Sequence, residues 1–411
     1  MNRKIFNRML MKRQILPDDT IIPYGSQTSD DWDSFIVFKP LGPYSLAEHN
    51  PVSYKPEGFA CGAGHGSTFQ DRYGNYRHIV TVTISQRHPF ERRLSMFPLF
   101  FDEDDEMYAW TGFGDYPMII PDKKVNSPEE LFPGWMLLSY GKEIEVSSTL
   151  PEYSSKVELW GNMIDRIRNN DARNICDEEI RTWWSAATGN SDEWFQMDLG
   201  ERSDIYALQI NFADEGSELQ GRNDNIYYRY TIESSVDGKN WKPLVDRSTN
   251  TVDAPHDYIQ LKKPVKARFI RVNNLYVPSG KFSVSDFRVF GKSDKKAPQP
   301  VRDFTVERDA DLRTVHLKWE TVPGATGYNI RFGTRENKLY HNYMVYGKNE
   351  LSIHSLHANK DYFFRIDAFN EGGVTKGTVV HSTVPKWKNA VIAREVRYAS
   401  LGETPLLLYL L

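Results

Sequence analysis

The string Gly64-His65-Gly66-Ser67 is where the sequence comes nearest to chemistry. It sets an imidazole, whose charge changes near neutral pH, between glycines that let backbone segments approach closely. Four residues make a weak motif, and a hydrogen-bonded structural histidine is the default for such a position. His354 and His357 read as surface residues. Asp30, Asp31, Asp33, Glu48 and Glu57 could move protons in principle, but their surroundings read as loops in which acids cap turns. The only two cysteines, Cys61 and Cys176, fall in different segments, so no disulfide framework is implied.

Such side chains need a scaffold, and 411 residues suggest about two to four domains. The hydrophobic fraction of 40% and charged fraction of 26% are those of a chain able to bury cores. A formal net charge of -4 gives no electrostatic reason to expect nucleic acid as a partner. The start, MNRKIFNRMLMKRQIL, interrupts its apolar residues with Arg, Asn and Lys and lacks the apolar stretch of a secretory signal. No run is long enough to span a membrane, and the terminal LLLYLL is far too short. With 22 Tyr and 10 Trp, rings are plentiful for sandwich cores and for stacking on sugars alike.

The pattern predicts an all-β fold. Runs such as YRHIVTVTI, RRLSMFPLFF, YALQINF, YYRYTIESS, ARFIRVNNL and DYFFRIDAF are rich in β-branched and aromatic residues and end at Gly, Asn, Asp or Pro. Turns are expected at Asp71 to Asn75 and at Asp237-Gly238. The stretch VELWGNMIDRIRNN, 157 to 170, reads as a short helix or as an irregular entrance to the next domain. The charged, proline-bearing GKSDKKAPQPVRD, 291 to 303, reads as a linker. Domains are expected at 1 to 150, 151 to 292 and 297 to 385, with 1 to 22 and 386 to 411 unassigned.

In the middle, NICDEEIRTWWSAATGNSDEWFQMDLG at 174 to 200 is followed by VDGKNW at 236 to 241 and by ARFIRVNN to FRVFG at 267 to 291. Trp194, Phe195, Met197 and Leu199 supply a strand closed by Gly200. Ser234, Asp237, Gly238 and Trp241 make a turn with an aromatic behind it. Together these strings resemble the factor 5/8 type C (discoidin) family, and within it the family 32 carbohydrate-binding modules, which implies a jelly-roll sandwich. The resemblance implies a calcium ion held by Asp177, by the Thr182 carbonyl and by Asp286, a mixture of hard oxygen donors that suits this cation. Here Glu178 stands where the family has Gly and Asp286 where it has Glu; a capped loop without metal is the alternative. It also implies polysaccharide or oligosaccharide recognition by loop residues at one end of the barrel, with Trp183, Tyr276 and Phe282 for stacking and Arg222 and Asn223 for hydroxyls. Trp184 is expected in the core.

Residues 297 to 385 resemble a fibronectin type III domain, through Trp319 in VHLKWE, Tyr328 in ATGYNIRFG, and Leu356 with Tyr362 in LHANKDYFFRIDAFNEGG. The last pair fits a tyrosine corner. Its expected role is packing or spacing.

At the other end, KPLGPY at 39 to 44, GFACGAGHGSTFQDRYGNYRHIV at 58 to 80 and YAWTGFGDYP resemble the last part of a family 43 glycoside hydrolase propeller. The resemblance carries to His65 a place on the active-site floor and implies an inverting glycosidase on arabinoxylan-like plant polysaccharide, outside the cell or in the periplasm. That mechanism needs a carboxylate base and a carboxylic acid roughly 6.5 to 9.5 Å apart. No acid of this chain aligns with either, so the expected reading is a truncated or frame-altered remnant that keeps an accessory binding module. A non-catalytic glycan-binding or domain-bracing protein is the alternative.

Overall fold

The computed structural model describes residues 35–36, 45–46, 49, 51–83, 93–159, 162–219 and 224–382. Asp30, Asp31, Asp33, Glu48, the whole 39 to 44 string, Arg222, Asn223 and the tail from 386 lie outside the described residues. Among the described residues all regular structure is β, apart from two single 3-10 turns at Pro128–Leu131 and Ala172–Cys176. No helix among the described residues is long and apolar enough to cross a membrane.

The N-terminal portion holds the pair β1 (Phe35–Ile36) and β2 (Ser45–Leu46), then a four-stranded antiparallel sheet. Its strands β3 (Cys61–Gln70), β4 (Tyr76–Thr83), β5 (Arg93–Phe101) and β6 (Met107–Ala109) pair in sequence order. Alternation puts Val80, Val82, Phe97 and Leu99 on one buried face against Val52 and Ala63. The turn at Asp71 to Asn75 forms because the Asp71 carboxylate accepts the N–H groups of Tyr73 and Asn75, both at 2.9 Å.

The central sandwich begins earlier than its composition suggested. Strands β7 (Met136–Leu137) and β8 (Glu143–Val146) belong to it, so the boundary drawn near residue 150 cuts through its sheet. Next come β9 (Tyr153–Leu159) and β10 (Asn162–Arg168), which among the described residues pair only with each other. This hairpin replaces the helix or irregular entrance expected at 157 to 170. Val157 lies opposite Ile164 and Leu159 opposite Asn162, and that cross-strand register outweighs the weak helical spacing of the same apolar residues.

The remaining strands are β11 (Trp184–Ser185), β12 (Trp194–Phe212), β13 (Arg229–Ser235), β14 (Lys242–Asp246), β15 (His256–Tyr276) and β16 (Ser283–Lys292). They pair in the order β11-β16-β12-β15-β13-β14, with β7 on β16 and β8 on β12. In the core Trp184 meets Phe195 and Phe282 edge to face, the latter at 5.6 Å and 90°, and Phe287 meets Phe195 in the same way.

In the C-terminal sandwich, β17 (Phe304–Arg308) pairs with β18 (Val315–Trp319). The facing sheet holds β19 (Gly327–Gly333) and β20 (His341–Tyr346). The strand β21 (Glu350–Ile353) joins β18, while β22 (Tyr362–Asn370), β23 (Gly373–Thr375) and β24 (Val379–Ser382) extend the second sheet. The Tyr362 hydroxyl accepts the His357 N–H at 3.1 Å, which gives the corner expected from Leu356 and Tyr362. Tyr362→Phe should therefore cost about 1 kcal/mol in urea unfolding, since one partly buried hydrogen bond is lost and little shape changes.

These three portions share a core. Phe113 and Tyr116 of the first, Met136, Leu137, Ala207 and Phe290 of the second, and Met344 and Phe369 of the third form one cluster. Tyr54 enters the core of the C-terminal sandwich, and Tyr108 stacks on Tyr340 at 3.8 Å with rings 2° from parallel.

Candidate functional site

One end of the central sandwich is made by three loops sewn together. Glycine allows the contact: a Cβ on Gly189 would sit 2.5 Å from the Gly280 carbonyl oxygen, and one on Gly280 would sit 2.3 Å from that of Glu215. The Lys281 N–H donates to the Glu215 carbonyl at 2.9 Å and its ammonium to the Ala187 carbonyl at 2.6 Å.

At this end Trp183 is half-buried, and its indole N–H donates to Glu215 Oε2 at 2.9 Å. Tyr153, at the foot of the β9–β10 hairpin, donates to Glu215 Oε1 at 2.6 Å, and burial together with Glu215 pushes its hydroxyl up to about 12. The Arg168 guanidinium covers the Trp183 ring at 4.4 Å. Trp183 thus has its N–H and one face committed to the protein.

Tyr276 is different. Its ring is half-exposed and lies 5.4 Å from Tyr227, with 38° between the planes. Arg229 stacks over Tyr227 at 4.7 Å and stands 5.9 Å from the Tyr276 ring. Its Nε is fixed by the Asn250 carbonyl at 3.1 Å, so the guanidinium is held in place. Tyr227 and Arg229 did not emerge from sequence reasoning. The signal was there in YYRY, where a period of two sends Tyr228 and Tyr230 into the core and Tyr227 and Arg229 outward.

Phe282 does not belong to this surface. It is 0% exposed and packs among Trp184, Phe195 and Phe212, because β16 begins directly after it and its side chain already points between the sheets. The expectation that it stacks on sugar is corrected accordingly. Trp184 is in the core, as expected.

The proposed ion ligands lie behind the loop after Cys176. The Thr182 hydroxyl donates to Asp177 Oδ2 at 2.6 Å, and burial pushes the Asp177 carboxyl up to about 6. Asp286 is 0% exposed, and neither of its carboxylate oxygens has a hydrogen-bond partner. The Glu178 N–H lies near enough to act on it electrostatically but outside hydrogen-bonding geometry. Burial, then the Glu178 charge, raise the Asp286 pKa well above the carboxylate range. A buried carboxyl without a donor must be protonated or face a cation, and oxygen donors of this kind fit calcium.

Glu178 itself has φ 58, the left-handed region glycine enters freely. Its carboxylate grips Arg288 in a fork, Oε1 to Nε at 2.8 Å and Oε2 to Nη2 at 2.9 Å. Arg288 Nη1 then reaches the Asp115 carbonyl of the N-terminal portion at 2.7 Å. Burial opposes the Arg288 charge, and Glu178 more than offsets it, so its pKa moves up.

In the N-terminal sheet His65 is exposed, with φ 49, at a break in register between Gly64 and Ser67. His78 on the neighbouring strand is buried, bonded through Nδ1 to the Thr68 hydroxyl at 3.0 Å, and burial lowers its pKa to about 4. Among the described residues, one group of three ligand-bearing side chains converges within 4.8 Å: His49, Asp102 and Glu106. The Lys338 ammonium already stands there, 2.8 Å from Asp102 and 3.4 Å from Glu106, in the place a cation would take.

Residues 165–286 match the model of the F5/8 type C domain. Comparison with curated proteins gives no match. Among solved structures, CpGH89CBM32-6 produced by Clostridium perfringens is 22% identical, over 38% of this chain and 99% of that one, with a TM-score of 0.28. Chitosan-binding module 1 from a chitosanase/glucanase of Paenibacillus sp. IK-5 is 23% identical over 38% and 99%, with a TM-score of 0.28. A structure described as a glycoside hydrolase is 19% identical over 66% of this chain and 55% of that one, with a TM-score of 0.32. The stretch from 165 to 286, which carries the WFQMDLG, VDGKNW and ARFIRV strings, is an F5/8 type C domain.

Proposed function

We propose that the chain binds glycans through the loop end of its F5/8 type C domain. The observation that carries this is the half-exposed Tyr227–Tyr276 pair with Arg229 fixed beside it. A pyranose offers an apolar face to a ring and hydroxyls to a guanidinium, and this group presents both. Trp183 and Glu215 flank the same loops and shape the rim. Calcium held by Asp177, Asp286 and the Thr182 carbonyl would neutralise the buried acids and stiffen the loop that leads into Trp183. The finer reading is a family 43-like hydrolase portion that acts on arabinoxylan-like polysaccharide outside the cell or in the periplasm. It rests on the sequence resemblance around His65.

Retardation of the purified chain in gels containing arabinoxylan or other polysaccharides tests the binding. Tyr276→Ala should weaken it about tenfold, the loss of a stacking ring worth about 1.5 kcal/mol. Retardation unchanged in that variant would count against the site. Release of 4-nitrophenol from aryl arabinofuranosides would favour the hydrolase reading. A bracing role is the second reading, favoured by the core that Phe113, Phe290 and Phe369 share across the three portions.

A further inference from the structure

We propose that the cleft where the three portions of the chain meet is a second saccharide-binding site, separate from the loop end of the F5/8 type C domain. Its volume is about 860 Å³, within the roughly 300 to 1,000 Å³ usual for small-molecule pockets. Each portion supplies a wall. Glu57 and Cys61 come from the first, Tyr140, Asp177 and Arg181 from the second, and Tyr343, Lys348 and Ser352 from the third.

The second observation is an acceptor without a partner. The Glu57 side chain is 8% exposed. Its Oε1 accepts the Met344 N–H at 2.9 Å and the Lys55 ammonium at 3.4 Å, while Oε2 is buried and bonded to no protein group. Unmet buried acceptors are costly, and because the Glu57 side chain lines the cleft, a small turn of its carboxylate toward a ligand hydroxyl there would satisfy this one.

The chemistry of the walls narrows the ligand. Carboxylates outnumber cations around the cleft, where Arg181, Lys318 and Lys348 are the only Arg or Lys residues, so an anionic ligand is disfavoured. The carboxylates do not gather around one point. Among the described residues only His49, Asp102 and Glu106 do so, and they lie elsewhere. A small ion cannot bridge acceptors spread around such a volume, whereas an extended neutral polyol can. Tyr140 and Tyr343, both half-buried, add ring surface for an apolar sugar face, and the exposed Lys348 adds a donor.

The test is calorimetric titration of the full chain with xylotetraose, cellotetraose and chitotriose. With the loop end weakened about tenfold by Tyr276→Ala, a saccharide binding event whose affinity that change leaves unaltered should remain. Ser352→Trp, which plugs the cleft from an exposed strand position, should abolish it, and Lys348→Ala, a surface change that leaves the core alone, should weaken it at least fivefold. Matching thermal midpoints establish that the variants fold. The proposal is overturned if the Tyr276→Ala chain binds none of the three sugars, or if its binding is the same after Ser352→Trp and after Lys348→Ala. It is equally overturned if calcium chloride alone gives a heat that Glu57→Gln removes while the sugars give none. A single event of equal affinity in the unmodified and Tyr276→Ala chains, lost in Ser352→Trp, would instead leave this proposal standing and count against the loop-end reading.

Discussion

Replacing Arg288 by alanine is expected to lower the unfolding free energy by about 3 to 5 kcal/mol, measured by urea denaturation. Its side chain is 1% exposed and ion-pairs with an equally buried Glu178. Removal strips that carboxylate, and Asp286 behind it, of their main countercharge in a low-dielectric interior. The Asp115 carbonyl and the Gln209 amide oxygen also lose a donor, and Phe59 and Phe290 lose the cation they flank at 5.0 and 4.9 Å. The combined substitution, Glu178→Met with Arg288→Met, should cost much less, because an apolar pair of similar volume leaves neither member of the ion pair stranded. A loss below about 1 kcal/mol for Arg288→Ala alone would show that the pair is not the buried tie described above.

The second large effect concerns pH and calcium. Asp177 and Asp286 have folded-state pKa values above their unfolded ones, so the stability tied to them is fully present in acid and is lost as pH rises. For Asp177 the window runs from its ordinary value of 3.8 to about 6, a loss of up to about 3 kcal/mol. Asp198, lowered chiefly by its bonds to Arg268, works in the opposite sense and favours the fold above the carboxylate range. In chelator, the urea midpoint should therefore fall between pH 4.5 and 7, and millimolar calcium should restore it at pH 7 while changing little at pH 4.5. Asp286→Asn should raise the chelated midpoint at pH 7 and abolish the calcium response. Superimposable curves with and without calcium at pH 7 would remove the ion from the proposed function.

What could be read from sequence was whatever a few neighbouring residues decide. The Asp237 turn is local: its carboxylate accepts the N–H groups of Lys239 and Asn240 at 2.9 and 2.8 Å. The same holds for the alternation of Trp194 to Leu199 and for the Leu356–Tyr362 corner. What escaped was decided at long range. Trp183 and Phe282 are both aromatics near loops, and only the path of β16 makes one a core residue. The hairpin at 153 to 168 has apolar spacing compatible with either period, and cross-strand pairing settles it. The early edge of the sandwich was hidden because β7 finds its partner in β16, some 150 residues on. Glu57, Asp115, Glu178 and Arg288 are unremarkable one at a time in the sequence, and the fold brings them to one junction.

The insertion of Tyr54 into the C-terminal sandwich bears on the order in which the chain is made. Residues 315 to 366 that surround it emerge from a ribosome some 260 residues after it does. Until then its ring, and the Tyr108 face that stacks on Tyr340, have nowhere to dock. The central sandwich can assemble meanwhile from its own strands, but the N-terminal sheet has to wait with apolar surface uncovered. Such late, distant closure slows folding and favours misassembly of early segments. The N-terminal portion is thus finished, in the structural sense, only when the C-terminal sandwich folds back onto Tyr54 and Tyr108.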